Sequence, residues 1–306
     1  MIERAPSFPG AVAPDRSHRL ESLGVALQVH EWGDPGGLPI VCTHGMFDHS
    51  RGFDRLAPLL ADELRVIAFD ARGHGDSGWA ESYTWDNDIA DIIAVLRAAG
   101  GPAFLLGHSK GGGQVLEAAN AVPDEVLGVI DLDGFGPPPE GFDHPRRPGP
   151  EKTIPERFAL YLDFRRGARE SRSWRPYESF DALVDRRSQQ NPLLSRDWLR
   201  YFLYHGARRD ADGWRWKVDP HCGSGFGPWK PDWIGDSYSQ LQVPLLAVIG
   251  SVQDTWGPLP EEILSARLAG VRQLERVTVE GSGHFIHMEK PEQTAALVRD
   301  FVARHR

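Results

Sequence analysis

Five residues, Gly107-His108-Ser109-Lys110-Gly111, stand between the apolar run Ala103-Phe104-Leu105-Leu106 and a helix-like stretch from Gln114 to Ala121. A G-x-S-x-G pattern at such a junction predicts a sharp strand-to-helix turn that holds its serine in a strained backbone conformation. The hydroxyl then projects from the sheet edge, and the helix N-terminus beneath it supplies backbone N–H groups. Small residues on both sides let the turn close. An ordinary Gly-rich turn has the same five-residue pattern, so the rest of the chain must decide between the two readings.

Strand-like and helix-like stretches alternate around this turn. After an irregular, Pro-containing leader, Val25 to Trp32 alternates like a strand and Ile40 to Thr43 is a short apolar run suited to a buried parallel strand. Arg51 to Leu64 has helical spacing, Arg65 to Phe69 is strand-like and ends at Asp70, and Ile89 to Ala99 reads as a helix stopped by Gly100-Gly101-Pro102. Val126 to Leu132 is another buried strand. Alternation resumes with a strand at Pro244 to Ile249, a helix near Glu261 to Ala269, a strand near Leu274 to Val279 and a closing helix from Pro291 to Arg304. That order predicts an α/β protein with a mostly parallel, doubly wound sheet.

Between roughly Gly136 and Gln242 the alternation breaks. This stretch begins with Pro137-Pro138-Pro139, carries a Pro/Arg-rich turn from His144 to Pro150, and reads as helices at Pro155 to Arg169, Phe180 to Gln190 and Ser195 to Arg208. With the sheet pattern intact on both sides, an insertion fits better than an independent domain. The expected organisation is a core in two parts, residues 1–135 and 243–306, with a helical cap at 136–242.

Composition narrows the partners. The 306 residues carry 34 Lys+Arg against 43 Asp+Glu, a net charge of −9, which argues against a general nucleic-acid surface and for an acidic soluble protein, with a small-molecule substrate as the expected partner. Arg146-Arg147 and Arg165-Arg166 are too short to change that and read as solvated faces. Cys42 and Cys222 are too few for a disulfide framework. Met1 to Leu20 lacks the apolar core of a signal peptide and no stretch reaches membrane-span length, so the expectation is a cytoplasmic protein without a membrane partner. No metal-ligand spacing, phosphate loop or dinucleotide fingerprint is present, and no cofactor is expected. The oligomeric state stays open.

A serine hydroxyl is a weak nucleophile at neutral pH and needs a base within hydrogen-bond reach, itself held by an acid. In a doubly wound sheet those partners sit on loops at the carboxyl ends of later strands. Asp254, four residues past Gly250, and His284, in Gly281-Ser282-Gly283-His284-Phe285, occupy such places. The expected constellation is Ser109 as nucleophile, His284 as base and Asp254 as acid, in the chain order associated with this elbow. Asp131 and Asp133, ending the strand after the elbow helix, compete for the acid role. The oxyanion donors are expected to be the backbone N–H groups of Met46, in Thr43-His44-Gly45-Met46, and Lys110.

Other residues receive plainer readings. The Arg72 to Ser77 loop organises its surroundings by hydrogen bonding, and His44, His74, His108 and His287 are structural. Asp48 and His49 read as solvated loop residues. Trp174, Trp198, Trp214, Trp216, Trp229 and Trp233 pack the insertion onto the body. Lys110 places a cation in the first turn of a helix against the macrodipole, so a carboxylate within ion-pair reach is expected, with Asp133 as the candidate. Recognition of an acidic substrate group by Lys110 is the alternative.

Together, His44-Gly45, the stretch Asp70-Ala71-Arg72-Gly73-His74-Gly75-Asp76-Ser77, the Ser109 elbow, Asp254 and Gly283-His284 make the sequence resemble the α/β-hydrolase fold family, specifically its capped serine hydrolases. The resemblance implies an eight-stranded sheet with its second strand antiparallel. Haloalkane dehalogenases and epoxide hydrolases of that family carry aspartate at the nucleophile position, so Ser109 disfavours both activities. The resulting expectation is a carboxylesterase-type reaction on a small to medium, largely apolar ester or lactone. Alternatives are C–C bond hydrolysis of a diketone and a slow-turnover ligand receptor on the same fold.

Overall fold

The apolar runs form the strands that their patterns predict, and the more polar segments at the edge are decided by pairing. In a computed structural model that describes residues 6–139, 151–170, 174–224 and 233–306, the strands are β1 (Arg16–Ser22), β2 (Val25–Trp32), β3 (Leu38–Thr43), β4 (Leu64–Phe69), β5 (Ala103–His108), β6 (Val126–Leu132), β7 (Ala207–Asp210), β8 (Gly213–Trp216), β9 (Leu245–Gly250) and β10 (Leu274–Val279). Eight of them make one sheet in the order β1-β2-β4-β3-β5-β6-β9-β10, while β7 and β8 form a separate antiparallel hairpin. Strand β2 runs antiparallel to both β1 and β4, and all other pairings in the large sheet are parallel. This is the α/β-hydrolase sheet, antiparallel second strand included.

Helices α1 (Ala57–Leu60), α2 (Trp85–Ala98), α3 (Lys110–Ala121), α8 (Glu261–Leu268) and α10 (Pro291–His305) belong to the body, with α9 (Ile286–Glu289) a single turn before α10. Alternation along the buried strands divides the core into two layers. Leu105 faces a cluster with Val115, Leu116 and Ile249, whereas Phe104 and Leu106 face one with Val298 and Phe301. Every residue of β5 and β9 is buried, which fixes the middle of the sheet and the loops at its carboxyl edge.

Local expectations differ from the structure at β1 and in the segment after β3. The leader contains β1, whose sequence RSHRLES is mostly exposed and shows no apolar alternation; its pairing with β2 from Arg16↔Glu31 to Ser22↔Val25 defines it. Arg51 to Leu64 holds a 3₁₀ turn at Ser50–Phe53 and only the short α1. The turn is tied down from outside, because Asp70 Oδ1 accepts hydrogen bonds from Ser50 N at 2.8 Å and Ser50 Oγ at 2.5 Å.

Between β6 and β9 lie α4 (Ile154–Glu170), α5 (Phe180–Gln190), α6 (Arg196–Gly206), the β7–β8 hairpin and α7 (Ile234–Gln240). Ser179 and Ser195 cap α5 and α6 by accepting from Ala182 N at 3.1 Å and Trp198 N at 3.2 Å. The helix expected to reach Arg208 ends at Gly206, where the chain enters the hairpin. Phe180, Leu183, Val184, Trp198 and Phe202 form a third apolar cluster that also takes in Phe285 and Met288, so the insertion docks on the loop carrying His284. Its last helix, α7, packs instead on α3 and α8: Tyr238 Oη donates to Asp131 Oδ2 at 2.8 Å, and Asn120 Nδ2 donates to Ser237 O at 3.0 Å. The Pro/Arg-rich turn at 144–150, Arg146-Arg147 and Trp229 lie outside the described residues.

Candidate active site

Ser109 ends β5 and caps α3 with φ 56° and ψ −122°, outside the ordinary regions for an L-residue. Crossing of chain segments requires the flanking glycines. A Cβ on Gly107 would stand 2.2 Å from Gly111 O, and one on Gly111 would stand 2.7 Å from Thr43 O. Ser109 N donates to Leu132 O at 3.0 Å, fastening the turn to the end of β6. Among the described residues four non-glycine residues have positive φ, namely Leu23, Phe47, Ser109 and Asp133, and the last three line one cavity. Backbone strain is therefore concentrated around this serine.

His284 lies on the loop between β10 and α9, and its Nδ1 is 2.6 Å from Asp133 Oδ2. Asp133 follows β6, with its own N–H donating to Val248 O at 2.9 Å, and both side chains are almost fully buried. Asp254, expected to hold the imidazole, instead bonds to backbone N–H groups. Asp254 Oδ1 accepts from Trp256 N at 2.7 Å and Gly257 N at 3.0 Å, and Oδ2 accepts from His284 N at 3.0 Å. It braces the histidine loop through the backbone, while the imidazole turns to the neighbouring strand end. Asp131 supports the Asp133 turn by accepting from Gly134 N at 2.7 Å, and burial pushes its carboxyl up to about 7.

The carboxylate beside Lys110 is also not the one expected. Lys110 Nζ is 2.6 Å from Asp88 Oδ2, which accepts a further bond from Gln114 Nε2 at 2.7 Å. Asp88 sits near the start of α2, packed beside α3, whereas Asp133 is occupied by His284.

Met46 and Lys110 both line the cavity with Ser109. The first N–H groups of α3, of which Lys110 supplies one, have no intrahelical carbonyl to bond. The loop carrying Met46 is held on both sides: Phe47 N donates to His74 Nε2 at 3.3 Å, and Asp48 N to Gly45 O at 3.2 Å. A Cβ on Gly45 would come 3.1 Å from Ser109 Cβ, so glycine permits the loop's close approach.

The surrounding histidines are scaffolding. His44 joins Gly45 O through Nδ1 at 2.7 Å and accepts from Ala71 N through Nε2 at 3.0 Å. His74 likewise joins Arg72 O at 3.0 Å through Nδ1. Burial lowers the pKa of both, holds His108 well below the ordinary histidine range, and brings His287 down to about 3. The nearby loop is organised by the buried Arg72–Asp91 pair at 2.6 Å and by Asp70, which accepts from Asp76 N at 2.8 Å.

Asp48 and His49 are not solvated, contrary to expectation, because the insertion covers them. Asp48 Oδ1 accepts from Arg187 Nη2 at 2.5 Å, and His49 stacks on Phe202 with ring centroids 4.2 Å apart. Arg187 comes from α5, so this buried pair ties the insertion to the loop beneath the serine.

The cavity has a volume of about 1190 Å³ and mainly apolar walls. Trp174, Tyr177 and Trp216 of the insertion line it together with Phe47, Trp85 and Phe135 of the body, and Trp174 meets Phe47 edge to face with ring centroids 6.2 Å apart. Of the tryptophans expected to pack the insertion, Trp198 is buried against Phe8, Tyr201 and Phe202, and Trp214 meets Phe180, whereas Trp233 is 47% exposed.

An eight-stranded sheet with an elbow serine and a histidine–aspartate pair at its carboxyl edge is the arrangement of the α/β-hydrolase fold. The chain belongs to the alpha/beta hydrolase family, whose model matches residues 40–297. It is similar to lipase LipV of Mycobacterium tuberculosis, 36% identical over 110 residues that span 36% of this chain and 42% of the lipase, less than half its length. A serine hydrolase-like protein of Dictyostelium discoideum is 25% identical over 296 residues, 91% of this chain and 78% of that protein. In fold, the thioesterase domain from the curacin biosynthetic pathway matches with a TM-score of 0.78 at 22% identity, over 93% of this chain and 98% of the domain. Among the described residues, no helix is long and apolar enough to cross a membrane.

Proposed function

We propose that this protein is a serine hydrolase that cleaves a small to medium, largely apolar carboxylic ester or lactone through an acyl-enzyme, with Ser109, His284 and Asp133 as its triad. The observation that carries the reading is the strained Ser109 sharing one cavity wall with a His284 whose Nδ1 is held 2.6 Å from Asp133. With Nδ1–H donated to the carboxylate, Nε2 is the nitrogen free to take a proton.

Ser109 Oγ attacks the substrate carbonyl carbon and gives its proton to His284 Nε2, and the carbonyl π pair moves onto oxygen. The Met46 and Lys110 amides donate to that oxyanion, each worth about 10²–10³ in turnover. Collapse restores the carbonyl and expels the alkoxide, which leaves with the proton from His284. Water then attacks the acyl-enzyme, gives its proton to the same nitrogen, and a second collapse releases the acid and restores Ser109. Asp133 stabilises the imidazolium in both halves. Residues 136–242 serve as the cap, contributing an aromatic wall that keeps bulk water from the acyl group.

The test is rapid-mixing kinetics with 4-nitrophenyl butyrate and butyrolactones, alongside a fluorophosphonate probe. A burst of nitrophenol followed by steady turnover, with Ser109 covalently labelled, supports the reading. Saturable binding without acylation favours the receptor alternative, and turnover confined to diketones favours the C–C hydrolase.

A further inference from the structure

We propose that the substrate bears a carboxylate remote from the scissile carbonyl, held at the cavity by Arg175 and Arg186. This inference rests on the hydrolase reading above and names the substrate class for the same site.

The argument comes from the charges lining the cavity. Asp48 is paired with Arg187 at 2.5 Å, Lys110 with Asp88 at 2.6 Å and Asp133 with His284 at 2.6 Å. His108 is kept neutral by burial. Arg175 and Arg186 also line the cavity, both exposed, and among the described residues neither reaches a carboxylate. Five other arginines of the insertion, Arg166, Arg196, Arg200, Arg208 and Arg215, each pair with an aspartate, whereas Arg165 bonds to the carbonyl of Glu81 instead. A chain with a net charge of −9 has carboxylates to spare, so two guanidiniums without a carboxylate partner lining one cavity form a local positive field.

Both arginines are carried on anchored backbone. Arg175 is two residues from Tyr177, whose N–H and carbonyl both bond to Trp214 at 2.8 Å. Arg186 lies on α5 next to Arg187, which is clamped to Asp48. Both line the cavity together with Trp174, Pro176 and Tyr177, whose apolar surface limits screening of an anion bound there. A planar carboxylate matches the guanidinium fork. The cavity thus combines mainly apolar walls with two exposed cations, suited to a half-ester of a dicarboxylic acid or to an ester of a carboxylated alcohol.

Two matched pairs of esters test this. The first is 4-nitrophenyl hydrogen adipate against 4-nitrophenyl hexanoate, with the anion on the acyl side. The second is 4-carboxyphenyl butyrate against its methyl ester, with the anion on the leaving group. In at least one pair the anionic ester is expected to show about tenfold higher kcat/KM, mainly through KM, and in the Arg175→Gln/Arg186→Gln double variant that ratio falls to about one. Absence of anionic preference in both pairs, or a preference that survives both changes, overturns the inference. Calorimetric binding of the same anionic esters to Ser109→Ala, with and without the two glutamines, reads recognition apart from chemistry. Arginine-dependent binding without turnover in the wild type overturns the hydrolase reading alone. Neutral-ester turnover without arginine-dependent binding overturns this inference alone.

Discussion

A Cβ on Gly257 would stand 2.1 Å from Asp133 Oδ2, the oxygen that faces His284 Nδ1. Glycine at 257 therefore leaves the space in which the acid meets the base. Gly257→Ala should displace the Asp133 carboxylate and lower kcat by roughly 10- to 100-fold, an estimate based on the sensitivity of catalysis to small misplacement. Steady-state kinetics beside a thermal melt check it; unchanged kcat in the folded variant would contradict the geometry.

Asp133 and Asp254 should separate cleanly. Asp133→Asn should cut turnover by roughly 10³–10⁴-fold with the fold intact, because an amide cannot stabilise the imidazolium. Asp254→Ala removes the acceptor for the N–H groups of Trp256 and Gly257 on its own loop and of His284 on the histidine loop, but its half-buried position lets water replace part of the loss, so a drop of about tenfold is expected together with lower stability. Comparing kcat and melting temperature for the two variants decides the assignment, and the reverse ranking would restore Asp254 as the acid.

Ser109→Ala should abolish ester hydrolysis without unfolding the chain, and adding His284→Ala should cost little further. Groups that act as one unit are not additive. An additive double variant would mean that the two residues work separately.

Lys110 and Asp88 form a pair that should be destabilising to break on one side only. Lys110→Met leaves a carboxylate that is 7% exposed with Gln114 as its side-chain donor, and a loss of roughly 3 kcal/mol is expected. Adding Asp88→Asn should recover much of it. Denaturant unfolding of the four members of the cycle provides the test, and equal loss with and without Asp88→Asn would remove the pair from the account.

Asp131 should make stability depend on pH. Its folded pKa, about 7 through burial, lies above the ordinary carboxylate value, so the folded state binds the proton more tightly than the unfolded chain. The stability from that proton is full below about pH 4 and is lost as pH rises through about 7. Asp131→Asn can still accept from Gly134 N and donate to Tyr238 Oη, but it does not titrate. The melting temperature of the wild type minus that of the variant should fall between about pH 4 and 7; a flat difference would show that Asp131 does not take up the proton.

The sequence by itself determined the sheet's interior and the turn at Ser109. Apolar runs such as Phe104-Leu105-Leu106 have one way to be buried on both faces, and Gly107 and Gly111 permit one kind of turn after them, so local chemistry sufficed. Strand β1 was hidden because an edge strand needs no apolar alternation, only a partner; β2 supplies it. Asp48 and His49 read as solvated because the helices that bury them lie more than a hundred residues away in the chain. The acid and the partner of Lys110 were likewise decided only in three dimensions. Asp133 and Asp254 both end strands at the same sheet edge and both bond to His284, one at the imidazole and one at the backbone N–H. Spacing along the chain places a carboxylate at that edge, but the direction in which it points depends on the positive φ at Asp133 and on the space left by Gly257.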